Sequence, residues 1–372
     1  MGFSQLAVSS RMKVRKLSAA RHVPPAFLDS HSRTTSTHYP PPSPTEEALW
    51  GAAVARGFSH RPGDPQRFLR KLRADAQSPR TGVRVVVDNA TGTFVGALRV
   101  LERSIDVDGR SVRIAGLAEV CSDPAWRGRG VASVSMADAR DTCAASGAAL
   151  SLLHAAPAVA SMYERLGYRP LVVPYALLPP GAAELPAGAQ LQRVELSDPL
   201  AAARLSALHT AACAALAGCM GFTLRSSEYW TRWLPAGAAG GAFCALQLPG
   251  APAGAPAAFA VAVLKDGVMR LWDYGAVEGL PPALACAFLR AVAARAAADG
   301  PPAAGAAAAP AEQALLLPTP LARLLCSEPL QEVGADEGWM IRPLNEEGEG
   351  LAQSLTKASA EGRFLVWAAD AF

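Results

Sequence analysis

The sequence lacks the features that mark metal-binding, disulfide-rich and membrane-spanning proteins. Its seven cysteines are an odd number, lie scattered and form no C-x-x-C pair. That usage predicts a reduced compartment, with no structural zinc and no other metal. No apolar run of about 18 residues is free of glycine, proline and charge, so no membrane-spanning segment is predicted.

Acidic residues are almost missing from the first 45 residues. That segment holds six Lys or Arg residues and one acid, Asp29, and it ends in Pro40-Pro41-Pro42. Its Ser, Thr and Arg content matches a transit peptide for a chloroplast or mitochondrion, and equally a plain disordered tail on a cytoplasmic protein; both alternatives stay open. Residues 1–45 are expected to lie outside the fold.

An excess of basic charge is missing from the rest of the chain. The other 327 residues carry 29 basic and 31 acidic side chains, which argues against a nucleic-acid-binding surface. A chain of 372 residues is long enough for two domains, each with its own hydrophobic core.

Hydrophobic periodicity and turn residues predict an ordered series of elements over residues 46–175. Asn89-Ala90-Thr91-Gly92 and Asp108-Gly109 are turn signals between strands, and Gly147 and Gly167 are typical helix C-caps. The predicted order is helices at 46–57 and 65–77, strands at 83–87, 94–101 and 112–121, a helix at 131–146, a strand at 149–153, a helix at 158–166 and a strand at 168–173.

A Pro/Gly/Ala-rich linker, residues 176–190, separates this part from a second domain, residues 191–372. The order of predicted elements in that domain roughly repeats the first, which suggests an internal duplication without a shared motif. The predicted elements are a helix at 198–217, strands at 242–248, 257–264 and 268–275, a helix at 281–298, a strand at 313–317 and a helix at 319–326.

The segment "VCSDPAWRGRGVAS" places two arginines and two glycines between a strand and a helix. The first turn of a helix has unpaired N–H groups and a partial positive charge. Gly128 and Gly130 let the backbone approach a pyrophosphate, and Arg127 and Arg129 add positive charge. The pattern therefore predicts a pyrophosphate site, with an ordinary basic helix start as the alternative.

Two other phosphate-binding motifs do not fit this segment. A P-loop needs a Gly-Lys-Ser/Thr sequence, which does not follow. The dinucleotide fingerprint needs a third glycine and a turn directly after the strand, whereas "GRGVAS" lacks that glycine and five residues, Asp123–Arg127, intervene.

The segment has a distinctive context: the run V-x-x-D-P-x-x-R-G-R-G-V-A is followed about 30 residues later by S-M-Y-E-R-L-G-Y-R. Together these two motifs resemble the Gcn5-related N-acetyltransferase (GNAT) superfamily. Arg127, Gly130 and Ala132 match the family signature Arg/Gln-x-x-Gly-x-Gly/Ala. Tyr163 stands four residues before Gly167-Tyr168, as in the second signature. The resemblance covers about residues 46–175.

This resemblance implies an α+β fold, with a mixed, mostly antiparallel sheet flanked by helices. The whole chain also resembles tandem GNAT acetyltransferases of the enhanced-intracellular-survival type, which carry a second, degenerate copy. The segments "LRSSEYWTRWL" (224–234) and "GWMIRPLN" (338–345) are similar to that group. The second half has no Arg-x-x-Gly-x-Gly, which implies that it binds no coenzyme A.

The resemblance also implies the reaction and the coenzyme contacts. The reaction is direct attack of an amine on the thioester of acetyl-CoA. Main-chain groups of the strand at 112–122 are expected to pair with the pantetheine arm. The family's asparagine before the tyrosine is missing; Ala156 and Pro157 stand near its place. The implied coenzyme-binding residues are Val120, Cys121, Ser122, Arg127, Gly128, Arg129, Gly130, Val131 and Ala132.

Four catalytic candidates follow. In the superfamily a tyrosine at the position of Tyr163 lies near the thioester sulfur, where a hydroxyl with a pKa of about 10 can hydrogen-bond a thiolate; the alternative is a core tyrosine. Glu119 and His154 are candidate bases, and strand alternation places Glu119 on the face opposite Val120. The C-terminal carboxylate of Phe372 is a third candidate base.

Other residues have a structural interpretation. Cys121 is expected to pack rather than act as a nucleophile, because no paired histidine is visible. Trp230 and Trp233 could line an acceptor pocket, although their spacing is more typical of a core. A non-catalytic acyl-CoA-binding or interaction protein and a purely structural domain remain alternatives to the enzyme. The acceptor amine stays open among small amines, polyamines, aminoglycoside-like amines and protein amines.

Overall fold

The computed structural model describes residues 12–16, 44–58, 64–76, 82–179, 181, 184–237, 242–252, 254–265, 267–299, 314–326 and 331–370. These form two compact units. The first contains the chain up to Arg103 together with Ile114–Ser151, and the second contains Ser104–Arg113 and Leu152–Ala371. Phe372, a predicted base, lies outside the described residues.

The first unit is a sheet with helices, in the strand order β1-β2-β3-β4. β1 is antiparallel to β2, and β2 is antiparallel to β3. The strand β5 begins here and ends in the second unit, and the tip of the β3–β4 hairpin also belongs to the second unit. The elements are β1 (Met12–Lys16), α1 (Pro44–Gly57), α2 (Pro65–Ala74), β2 (Val83–Asp88), β3 (Phe94–Val107), β4 (Arg110–Ser122), a 3-10 turn (Pro124–Trp126), α3 (Val131–Ala145) and β5 (Leu150–His154).

Strand alternation explains how both faces of this sheet are covered. Val83, Val85 and Val87 of β2 pack with Trp50 of α1 and with α2 in one core cluster. Val86, on the opposite face, packs in a second cluster with Val95, Met12 and Val131. The period of two in a strand therefore gives each side of the sheet its own hydrophobic layer.

The strand β1 corrects one expectation about the first 45 residues. Met12–Lys16 pair with β2 in the register Met12↔Asp88 to Lys16↔Arg84, so this part of the segment belongs to the fold. Met12 is buried in the core. The basic, serine-rich surroundings concealed a five-residue strand that is too short to give a clear periodic signal.

The second unit holds a longer mixed sheet, in the order β5-β12-β6-β11-β10-β9-β8-β7. β10 and β11 are parallel, and the pairs β12–β6, β11–β6, β10–β9, β8–β9 and β7–β8 are antiparallel. The elements are α4 (Pro157–Arg165), β6 (Arg169–Leu178), β7 (Gln190–Arg193), α5 (Pro199–Ala215), a π-helical turn (Tyr229–Trp233), α6 (Leu234–Gly237), β8 (Cys244–Gln247), β9 (Ala258–Lys265), β10 (Val268–Ala276), α7 (Pro282–Asp299), β11 (Leu315–Pro318), α8 (Thr319–Leu325), β12 (Glu332–Pro343), α9 (Glu346–Ala360) and a 3-10 turn (Ala368–Asp370).

Most of these elements lie within a few residues of their predicted positions. The strand β6 extends to Leu178, three residues into the predicted linker. The strands β7 and β12 and the helix α9 were not predicted. β12 was missed because it is interrupted: its pairing with β6 shifts register twice, which disrupts a clean alternation. Among the described helices, none is long and apolar enough to cross a membrane.

Candidate functional site

The predicted pyrophosphate turn begins where β4 ends. Asp123 caps the 3-10 turn, because its Oδ1 accepts a hydrogen bond from the Ala125 N–H at 3.0 Å. Its Oδ2 forms an ion pair with Nε of Arg56 at 3.1 Å, and its own N–H donates to the Val95 carbonyl at 2.9 Å. These contacts tie the turn to α1 and β3, so its position is set by the unit around it.

Gly128 and Gly130 were predicted to let the backbone approach a pyrophosphate, and the structure shows their backbone conformation. Their φ angles are +74° and +80°, in the left-handed region that favours glycine. A Cβ at either position would meet no atom within 4 Å, so conformation rather than space requires glycine here. Gly130 is the N-cap of α3 and provides no side-chain hydrogen bond to its first turn. The N–H groups there have no side-chain acceptor and suit an anion.

Two arginines add charge at this helix start. Arg127 Nη2 donates to the Gly57 carbonyl at 3.0 Å, and the Arg129 guanidinium carbon lies 5.2 Å from the Trp126 ring centroid. Both arginines are exposed, and neither of these contacts neutralises their charge. Val131 is buried and Ala132 half-buried, which anchors the first turn of α3 in the core beneath the glycines.

The end of β4 departs from regular strand geometry. Glu119 has φ +50°, which is rare for a residue with a side chain and is common at functional sites. This interrupts the alternation on which its predicted orientation depended. Val120 and Ser122 are half-buried, while Cys121 is buried. Burial raises the pKa of the Cys121 thiol to about 12, in keeping with the packing role expected of it.

Glu119 is held in a buried ion pair. Arg99 donates from Nε to Oε2 and from Nη2 to Oε1, both at 2.9 Å, and the two side chains are 2% and 6% exposed. Asp75 lies beside the same arginine and also accepts from Arg103 Nη2 at 3.1 Å. A carboxylate with both oxygens engaged by one guanidinium is poorly placed to take a proton from a substrate.

In the second unit, Tyr163 is the buried residue of α4. Its ring is 5.9 Å from that of Tyr168 in an edge-to-face arrangement. Its carbonyl accepts from the N–H groups of Leu166 and Tyr168 at 2.9 and 3.1 Å, which ends the helix at the predicted Gly167. The ring is thus fixed by packing, and the role of its hydroxyl in catalysis stays a prediction.

His154 has a carboxylate partner that the sequence did not reveal. Its Nε2 lies 2.8 Å from Oδ1 and 3.0 Å from Oδ2 of Asp336, which belongs to β12. The Gly338 N–H donates to the same Oδ1 at 3.0 Å, and Trp339 packs edge-on against the imidazole. Burial acts to raise the pKa of Asp336, but His154 and Gly338 outweigh it and the pKa is lowered.

The structure also shows where the two tryptophans and the residue in place of the family's asparagine lie. Trp230 and Trp233 are buried, 1% and 2% exposed, as a core interpretation expects; Trp230 also borders a cavity in the second unit. Ala156 is the N-cap of α4 and makes no side-chain hydrogen bond. Asp336 stands 182 residues from His154, so no local spacing could have pointed to it.

Comparison with known proteins gives consistent results. The model of an acetyltransferase (GNAT) domain matches residues 40–171. A GCN5-related N-acetyltransferase from Kribbella flavida is similar with a TM-score of 0.53 and 21% identity, over 80% of this chain and 68% of that one. One from Anabaena variabilis has a TM-score of 0.56 and 16% identity, over 90% and 73%.

Eis1 from Mycobacterium abscessus is similar with a TM-score of 0.53 and 15% identity, over 90% of this chain and 73% of that one. No curated relative matches the chain by sequence. The shared fold extends well beyond residues 40–171, which confirms the predicted fold class.

Proposed function

We propose that the protein is an N-acetyltransferase that uses acetyl-CoA, on the premise that residues 40–171 match the model of an acetyltransferase (GNAT) domain. The observation that carries this proposal is the helix start after β4. Gly128 and Gly130 adopt left-handed backbone, α3 has no side-chain cap, and Arg127 and Arg129 flank the turn. A helix start of this kind suits a pyrophosphate.

The end of β4 supports a place for the rest of the coenzyme. A pantetheine arm carries amide groups that can pair with main-chain groups of a strand. The left-handed residue Glu119 disrupts β4 just before Val120–Ser122, and an interrupted strand presents main-chain groups that a regular ladder would use. Residues 120–122 are therefore the proposed pantetheine contacts.

The proposed reaction is direct transfer without a covalent enzyme intermediate. The amine nitrogen attacks the thioester carbonyl carbon, the C–N bond forms, and the C–S bond breaks with the electron pair leaving on sulfur. The amine loses one proton and the coenzyme A thiolate gains stabilisation or a proton. The reaction therefore needs one group that accepts the proton of the amine and one that stabilises or protonates the thiolate.

His154 is the proposed proton acceptor. Its imidazole is about one-third exposed, at 34%, so a substrate amine can reach it. The Asp336 carboxylate at 2.8 Å orients the ring and stabilises the imidazolium formed when a proton is taken up. Glu119 is less suitable because Arg99 occupies both its oxygens.

Tyr163 is the proposed acid. A tyrosine hydroxyl donates a hydrogen bond readily to a thiolate, and the ring of Tyr163 is held by Tyr168. Tyr168 offers a matched control, since it is equally buried and the same removal of a hydroxyl can be made there.

The test is release of free coenzyme A from acetyl-CoA in the presence of polyamines, aminoglycosides, small amines and lysine peptides. We expect turnover with at least one amine. Tyr163→Phe should lower kcat by roughly 10²–10⁴-fold with little change in acetyl-CoA affinity, and His154→Gln should lower kcat similarly; Tyr168→Phe should retain it. Acetyl-CoA binding without turnover on any amine would instead identify a non-catalytic acyl-CoA-binding protein.

A further inference from the structure

A cavity of about 470 Å³ lies wholly within the second unit. Its wall is formed by α5, by residues 216–225 and by the tip of the β3–β4 hairpin. Two cysteines, Cys213 and Cys219, border it, as do His209 and Arg225. The two thiols thus share one cavity, and both residues are half-buried, so small molecules reach them by the same route.

Cys213 differs from its neighbour in having a histidine partner. Its Sγ lies 3.5 Å from Nε2 of His209, one helical turn earlier on α5. The other ring nitrogen, Nδ1, is 3.5 Å from Oδ1 of Asp273. Sulfur, imidazole and carboxylate therefore follow one another in the order that activates a cysteine nucleophile.

The imidazole is fixed by its surroundings. It is buried and contacts the rings of Trp230 and Trp367, with centroids 5.7 and 6.1 Å away. Arg225 Nη1 is 3.4 Å from its Nδ1. The ring cannot rotate away from the sulfur without displacing these neighbours.

The charges around His209 favour its positively charged imidazolium form. Arg225 is paired with two buried carboxylates, Asp273 and Asp370, which leaves one negative charge in excess. Burial and the charge of Arg225 act to lower the pKa of His209, but Cys213 and the hydrogen bond to Asp273 outweigh them and the pKa rises to about 9. An imidazolium beside a thiol stabilises the thiolate.

Cys219 has no such support. Among the described residues, no imidazole lies within hydrogen-bond distance of its sulfur, and its pKa is raised, chiefly by burial, although Arg363 and Arg323 oppose this. It is a control provided by the chain itself, because it shares the cavity but not the histidine.

We propose that Cys213 is a reactive thiol that undergoes exchange with low-molecular-weight disulfides entering this cavity. The Cys213 thiolate attacks one sulfur of the disulfide, a new S–S bond forms at Sγ, and the other half leaves as a thiolate. No further oxidant is needed, because the disulfide itself is reduced. The result is a mixed disulfide on the wall of the cavity.

The experiment treats the full chain with bis(2-hydroxyethyl) disulfide at pH 7 and follows modification by mass spectrometry. Cys213 and Cys219 lie on one tryptic peptide, between Arg204 and Arg225, so fragmentation gives their ratio directly. We expect Cys213 to be modified at least about 10-fold faster than Cys219, because the His209 imidazole lies beside the Cys213 sulfur and, among the described residues, none lies beside that of Cys219. Equal rates, or a faster Cys219, would overturn the proposal.

His209→Gln, with folding checked by its melting transition, should bring the two rates together. If that variant does not fold, the ratio of the two modification rates in the wild-type chain decides, because the two thiols share the cavity there and differ in the neighbouring imidazole.

Discussion

Each unit of the chain buries a cluster of charged side chains, and the two clusters have opposite imbalances. The first-unit cluster consists of Lys71, Asp75, Arg99, Arg103 and Glu119, three cationic groups with two carboxylates. Arg99 joins Glu119 to Asp75, at 2.9 and 3.7 Å, and Arg103 reaches Asp75 at 3.1 Å. With every group ionised, this cluster has one positive charge in excess.

The second-unit cluster consists of His209, Arg225, Asp273 and Asp370. The guanidinium contacts Asp273 at 2.7 Å and Asp370 at 2.9 Å, and both carboxylates are fully buried. Without a proton on His209, this cluster has one negative charge in excess. Tyr229 donates to Asp370 Oδ1 at 2.9 Å, which adds a hydrogen bond but no charge.

The pKa values of Lys71 in the first-unit cluster and of His209 in the second-unit cluster shift in opposite directions. Burial, helped by Arg99 and Arg103 and opposed by Glu119, lowers the pKa of Lys71 to about 8. The pKa of His209 rises to about 9. Both shifts bring the buried cluster closer to neutrality, as expected where net charge is costly to bury. The local charge imbalance of each cluster, and not the small net charge of the chain, determines the direction of these two pKa shifts.

Removing the only cation that joins both carboxylates of the second-unit cluster should have the largest effect. Arg225→Met leaves Asp273 and Asp370 buried without their guanidinium, and we expect the free energy of unfolding to fall by about 4 kcal/mol. Denaturant unfolding at pH 7 measures it. Arg140→Met, which removes an exposed arginine paired with Asp141, should cost less than about 0.5 kcal/mol. Equal losses would contradict the comparison.

Removing the lysine of the first-unit cluster should stabilise the protein. A shift from 10.5 to about 8 corresponds to about 3 kcal/mol, which Lys71→Met should recover at pH 7. Between pH 8 and 10.5 the lysine is protonated in the unfolded chain but not in the native chain, so the stability of the wild type rises with pH over this range. The advantage of Lys71→Met over the wild type therefore shrinks over the same range. Lys357→Met, at an exposed lysine, is the control. A loss, or a gain independent of pH, would refute this.

His209→Gln should show the opposite pH dependence. The native pKa is raised above 6.5 to about 9, so the stabilisation is fully present below pH 6.5 and is lost as the pH rises through 9. We expect the variant to lose about 3 kcal/mol at pH 6 and less above pH 9. Unfolding curves at both pH values measure this; a loss that grows with pH would be inconsistent with a protonated imidazole.

The smallest effect on stability is expected at the His154–Asp336 pair. These side chains are 34% and 26% exposed, so water screens them and no buried imbalance arises. Asp336→Asn should cost less than about 1 kcal/mol but should lower kcat about tenfold if it orients His154. A large loss of stability would contradict this, because it would mean that the pair contributes to stability as the buried clusters do.

Local signals in the sequence predicted the turn between a strand and a helix at residues 123–130, and the structure has it there. Two glycines and two arginines marked that turn, but its left-handed backbone at Gly128 and Gly130 was not predicted, although glycine adopts it readily. The strands from Val83 to Ser122 carried clear alternation and turn residues. These features depend on neighbours within a few positions, which a sequence shows directly.

Long-range pairs could not be predicted in the same way. Arg225 meets Asp273 and Asp370 across 48 and 145 residues, and Asp336 reaches His154 across 182 residues. Such partners are determined by the strand order of the sheet, and periodicity carries no information on it. The left-handed backbone at Glu119 was missed for another reason: nothing in its side chain favours that conformation.

Isothermal titration with acetyl-CoA is the most direct test of the central claim, that the turn before α3 holds the coenzyme. The variants are Gly130→Glu and, as a matched control, Gly92→Glu in the β2–β3 turn. Both glycines have left-handed φ, +80° and +71°, and a Cβ at either meets nothing within 4 Å, so strain and added charge are equal. Wild type and Gly92→Glu should bind acetyl-CoA, and Gly130→Glu should show no binding. Unchanged affinity in Gly130→Glu would contradict the assignment of the coenzyme to this turn.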